Sequence, residues 1–133
     1  MSKQTRREFI TSSAIFGTGL IVAPSLSTKK KKMLIHHVFF WLKNPGSKTD
    51  RDQLISGLHK LRKIKTVRKI HIGVPAATED RTVVDSSYHV SELLFFDGVA
   101  EQKAYQDDPI HQQFIKDCGH LWEKVVVYDS IDV

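Results

Sequence analysis

Cysteine is almost missing from these 133 residues: Cys118 stands alone, so no disulfide closes within the chain, and the fold is held by its core or by a second chain. Apolar runs are short too. The uncharged, mostly apolar stretch Ala14–Leu26 falls well below the roughly 20 residues that a membrane-crossing helix needs. A basic surplus is absent where it would matter. The net charge is +5, but seven of the 20 Lys and Arg and only one of the 15 Asp and Glu lie in residues 1–32. Residues 33–133 are thus slightly acidic, which removes the main support for nucleic-acid binding. No phosphate-binding glycine loop, nucleophile elbow or dinucleotide fingerprint occurs, so hydrolase, kinase and dehydrogenase readings find no footing. The seven histidines include no H-x-H or H-x-x-x-H pair, and neighbours His36 and His37 point to opposite faces of a strand. No metal or other cofactor is therefore expected. What remains, 41% hydrophobic and 26% charged, is the composition of one small domain.

The first 27 residues read as an address. Thr5-Arg6-Arg7-Glu8-Phe9-Ile10 followed by the short apolar run resembles a twin-arginine export signal, with Ser25 and Ser27 offering a cut before Thr28. Residues 28–32, mostly lysine, form a basic linker, and 33–133 the domain. The expectation is a periplasmic or otherwise exported protein that meets the membrane only in transit. Translation from Met33 would instead leave it in the cytoplasm.

Within the domain, Leu34–Leu42 is a strand rich in β-branched and aromatic residues, ended by Asn44-Pro45-Gly46. Leu34, His36, Val38, Phe40 and Leu42 share one face; Ile35, His37, Phe39 and Trp41 share the other. Leu54, Leu58 and Leu61 mark a helix over about 50–63, opened by a capping box of Thr49 and Asp52 and weakened by Gly57. Val67–Val74 and Ser87–Phe96 read as strands flanking a polar loop, and Val99–Asp107 as a short helix. Asp108-Pro109 then supplies a cap and a first-turn proline for a helix striped by Ile110, Phe114, Cys118 and Leu121. Lys124–Val133 closes the chain as a strand.

This order, β-α-β-β-α-β, predicts an α+β, ferredoxin-like sheet with its helices on one face. Strands one, three and four are apolar on both parities, and a chain this short has nothing left to cover the second face. Two sheets packed face to face solve the problem, so a homodimer enclosing a barrel-like interior is expected.

The same residues resemble the stress-responsive A/B barrel family, often called Dabb, across 33–133. Met33–Lys43 (MLIHHVFFWLK) follows its opening M-x-x-H-x-V-x-F-x-L-K, Val67–Pro75 (VRKIHIGVP) its second strand, and Ser87-Tyr88 and Phe96-Asp97 bracket its third. Ala104-Tyr105-Gln106 with Pro109-Ile110-His111 follows its a-Y-q-x-h-P-x-H signature, although Asp108 stands where many members carry histidine. The resemblance implies a dimeric α+β barrel. It also implies a comparison with a plant polyketide cyclase of the family, which closes a linear tetraketide by aldol condensation without a cofactor. The essential Tyr and His of that enzyme match Tyr105 and His111.

On the residues themselves, His111 falls in the first turn after the Asp108 cap, where the helix N-terminus disfavours a positive imidazole by roughly 0.3–1 kcal/mol. A neutral imidazole accepts a proton, with Tyr105 as hydrogen-bond donor to a carbonyl or enolate oxygen and His36 as an orienting group. Val38 and Phe40 beside His36, Trp41, and Arg81 in the polar loop are candidate contacts for a small hydrophobic or carbonyl-bearing ligand. The competing reading bonds Tyr105 to a backbone carbonyl and His111 to a carboxylate in a non-catalytic, stress-associated dimer. A third is a cofactor-independent monooxygenase on the same barrel.

Overall fold

The computed structural model describes residues 30–133; the expected export signal and the first two residues of the linker lie outside them. The chain runs β1 (Leu34–Leu42), α1 (Lys48–Lys60), a 3-10 turn (Leu61–Lys63), β2 (Lys69–Gly73), β3 (Val90–Phe96), α2 (Val99–Asp107), α3 (Pro109–Cys118), a second 3-10 turn (Gly119–Leu121) and β4 (Trp122–Ile131). The strands form one antiparallel sheet in the order β2-β3-β1-β4. This is the expected ferredoxin-like arrangement, with helices on one face.

Alternation along β1 sets the two faces. Leu34, His36, Val38, Phe40 and Leu42 are buried, and the residues between them are half-buried. Leu54, Leu58 and Leu61, fully buried, join Val90, Leu94, Phe96, Phe114 and Leu121 in the core. Truncating a leucine there to alanine costs about 2–5 kcal/mol. Among the described residues the opposite face carries no helix: Phe39 packs edge-on to Tyr88 and Tyr128 at centroid distances of 4.9 and 6.0 Å.

Three details depart from the expectations. α1 begins at Lys48, because Ser47, extended after the Pro45-Gly46 turn, caps it by accepting from the Asp50 amide at 3.1 Å. Thr49 lies within the helix, and Asp52 pairs with Lys48 instead of closing a capping box. Gly57 is where two helices meet: a Cβ there would sit 2.5 Å from Cys118 Sγ and 3.2 Å from the Phe114 ring. The contact explains a residue that otherwise lowers helix propensity. β3 starts at Val90 because the preceding residues hold β1 by other bonds. The His89 amide donates to the Phe40 carbonyl, and His89 Nδ1 accepts from the Leu42 amide.

Candidate functional site

The corner between α2 and α3 builds the site. Asp108 adopts the extended backbone that a following proline requires, ends α2 with its N–H donating to the Tyr105 carbonyl, and caps α3 by accepting from the Ile110 amide at 2.8 Å. This brings Tyr105, near the end of α2, against His111, in the first turn of α3. Their ring centroids are 4.7 Å apart and both residues are buried. From the sheet below, His36 meets the Tyr105 ring edge-on at 5.8 Å, and Phe96 closes the other side at 5.1 Å. Val38 and Phe40 continue the same inner face of β1.

Each polar group has a distinct environment. His36 Nδ1 lies 2.5 Å from Asp129 Oδ1 on β4, so Nδ1 carries a proton and donates to the carboxylate. His111 is 7% exposed, and its Nδ1 is buried with no hydrogen-bond partner among the described residues. Burial holds its pKa below the ordinary 6.5, and the charge of His36 pushes the same way; the Gln106 carbonyl and Asp108 oppose them. Tyr105 Oη lies 3.2 Å from Glu92 Oε1. Glu92, on the inner face of β3 and 1% exposed, is pushed up to about 8 by burial, with the Tyr105 hydrogen bond pulling the other way. Burial first, then the Glu92 charge and hydrogen bond, raises the Tyr105 phenol.

The structure thus gathers His36, Tyr105 and His111 over Val38 and Phe40, and leaves two candidate contacts apart. Trp41 lies on the opposite sheet face, its indole N–H donating to Ser87 Oγ and the Lys124 ammonium over its ring at 4.4 Å. Arg81 is exposed in the loop between β2 and β3. Tyr105 meets a carboxyl group in place of the expected backbone carbonyl. Glu92 and Asp129 were not anticipated. Glu92 shares parity with Val90, Leu94 and Phe96, which was the available signal. Asp129 follows only from strand register, which sets it opposite His36.

On its far side the cluster borders open strand. Val127 lies opposite Val38 and Val125 opposite Phe40, yet each is 44% exposed, so the inner face of β4 offers an apolar strip beside the buried polar groups. A separate cavity of about 600 Å³ lies between α1 and α3, lined by Gly57, Lys60, Phe114 and Cys118 among others. Among the described residues no three His, Cys, Asp or Glu side chains gather as a metal ion would require, and no helix is long and apolar enough to cross a membrane.

Comparison with known proteins fits this architecture. The sequence model of the Stress responsive A/B Barrel Domain family matches residues 34–132. A Dabb family protein with a ferredoxin-like fold from Mesorhizobium loti is 22% identical, with a TM-score of 0.63, over 77% of this chain and 98% of its own. A dimeric ferredoxin-like protein of unknown function from Thermobifida fusca is 20% identical, with a TM-score of 0.61, over 76% and 92%. The hydroxynitrile lyase of Passiflora edulis is 24% identical, with a TM-score of 0.64, over 77% and 95%. At these identities the likeness is one of fold. No curated protein matches the chain.

Proposed function

This chain belongs to the stress-responsive A/B barrel family, and from that premise we propose that it is an exported homodimer that binds a small carbonyl-bearing molecule in each protomer and moves a proton on it without a cofactor. The observation that carries the reading is the buried, unpartnered Nδ1 of His111 against Tyr105. An imidazole held neutral by burial is a base at neutral pH. A carbonyl oxygen near Tyr105 Oη would accept the phenol hydrogen. His111 then takes the proton from the adjacent carbon and becomes imidazolium, and the enolate oxygen is held by Tyr105. His36, oriented by Asp129, discourages His111 from keeping the proton, so it returns to carbon or to water. The strip of Val125 and Val127 suits the apolar remainder of such a ligand.

Dimerisation is supported by the sheet face of Phe39, Tyr88 and Tyr128, which no helix among the described residues covers, and by the dimeric neighbour from Thermobifida fusca. Export rests on the paired arginines and apolar run of the leader; fractionation that finds only the full-length chain in the cytosol would refute it.

The chemical reading is tested by following α-proton exchange of acetophenone in D2O by NMR. Wild type is expected to accelerate exchange and His111→Ala to abolish the acceleration. Exchange no faster than in buffer would favour the non-catalytic dimer. One observation favours that second reading: the 600 Å³ cavity between α1 and α3 is lined by neither Tyr105 nor His111.

A further inference from the structure

Glu92 has no counterpart in the chemistry described so far, yet it is the group that meets Tyr105. It is 1% exposed, and its Oε1 lies 3.2 Å from Tyr105 Oη. Among the described residues no Lys, Arg or His nitrogen comes within 4.0 Å of its carboxyl oxygens. A buried carboxylate without a cation is costly, so the group keeps its proton, and the neighbouring phenol oxygen can accept a hydrogen bond from it. A phenol has one hydrogen. If that hydrogen is given to Glu92, it is not available to a ligand.

We propose that Glu92 is a positioning residue that sets the direction of the Tyr105 hydroxyl: as a neutral acid it donates to Tyr105 Oη and frees the phenol hydrogen for a ligand oxygen, and as a carboxylate it takes that hydrogen back. The inference rests on the proton-transfer reading of the site. No bond to carbon changes in this step. One proton leaves the carboxyl group for solvent, and one hydrogen bond reverses its sense.

The groups that face Glu92 separate its titration from the others. Tyr105 of α2 is bonded to it; His111 of α3 and His36 of β1 lie beyond, against the Tyr105 ring, with Asp129 of β4 bonded to His36; in register Val38 of β1 and Ile72 of β2 flank Glu92, and Leu54 and Leu58 of α1 belong to the same core. His111 titrates below 6.5 and Glu92 near 8, so the two limbs of a pH profile belong to different residues.

The experiment uses the full chain. Infrared difference spectra between wild type and Glu92→Gln report a protonated carboxyl at pH 6.5 that is lost with a midpoint near 8. Tyr105→Phe removes the hydrogen bond that opposes protonation, so the midpoint rises; this variant keeps the test independent of whether Glu92→Gln folds. Acetophenone exchange by wild type falls about tenfold per pH unit above the midpoint. In Glu92→Gln, whose amide donates to Tyr105 at every pH, exchange persists and the alkaline limb disappears. An ionised Glu92 at pH 6.5, a midpoint indifferent to Tyr105→Phe, or an alkaline limb retained in Glu92→Gln each overturns the proposal. Absence of exchange in wild type at every pH overturns the proton-transfer reading instead, and the two infrared midpoints then decide the hydroxyl's orientation alone.

Discussion

Replacing Glu92 by glutamine tests the buried acid through stability as well as through chemistry. A carboxyl whose folded pKa lies above its unfolded value binds its proton more tightly in the folded state. Its contribution is fully present below the unfolded pKa and is lost as pH rises through the folded one. For Glu92 the interval runs from an ordinary 4.5 to about 8. At about 1.4 kcal/mol per unit, this amounts to something on the order of 5 kcal/mol. That is a large share of the roughly 5–15 kcal/mol that holds a domain of this size together. Glutamine fills nearly the same volume and never ionises, and other groups titrate alike in both proteins. The unfolding free energy of wild type minus that of Glu92→Gln should therefore fall by several kcal/mol between pH 5 and pH 9. Urea titrations followed by the fluorescence of Trp41 and Trp122, at one fixed protomer concentration, measure it. Parallel curves for the two proteins would refute the reasoning, and a difference that grows with pH would mean that Glu92 is stabilised as an anion.

Other expectations follow from the same structure. Phe39→Asp places a charge among Tyr88, Tyr128 and His37, and should convert the dimer to monomer in sedimentation velocity at micromolar concentration while leaving the helix-facing core intact. Gly57→Ala drives a methyl into Cys118 and Phe114 and should cost about 1–3 kcal/mol, less the roughly 1 kcal/mol gained in helix propensity; adding Cys118→Ala should recover part of the loss, whereas strictly additive urea midpoints would count against the contact. Exchange catalysed by His111 should hold at pH 7 and decline only on acidification below 6.5, because burial lowers its pKa; a midpoint at or above 6.5 would contradict that environment. Asp129→Asn releases His36 from its carboxylate and should slow acetophenone exchange while leaving the secondary structure seen by circular dichroism unchanged.

Much of this was legible in the sequence because local chemistry and tertiary demand agree. Pro109 at the first position of α3 and Asp108 as its cap are read from two residues, and they place Tyr105 beside His111. The period of two in β1 separates His36 from His37 before any fold is known. Other features depend on contacts that no local pattern carries. Ser47 caps α1 because the turn before it ends extended, a matter of backbone conformation that the Thr49 spacing does not reveal. Trp41 is set apart from His36 by the pleat, although the two are close in sequence. Asp129 pairs with His36 across 93 positions, through a β1–β4 register that shifts between Trp41 and Leu42. Glu92 had a signal in its parity, but a lone acid in an apolar strand reads equally as an outward residue until Tyr105 is placed over it.

The proposed chemistry needs a neutral histidine beside Tyr105 whose Nδ1 has no partner among the described residues. Nitrogen-15 NMR of the imidazole-labelled protein measures this directly. His111 is expected to be neutral at pH 7, to titrate below 6.5, to show the signature of an Nδ1 without a hydrogen bond, and to shift when acetophenone is added. An ordinary titration midpoint with no response to the ketone would contradict it.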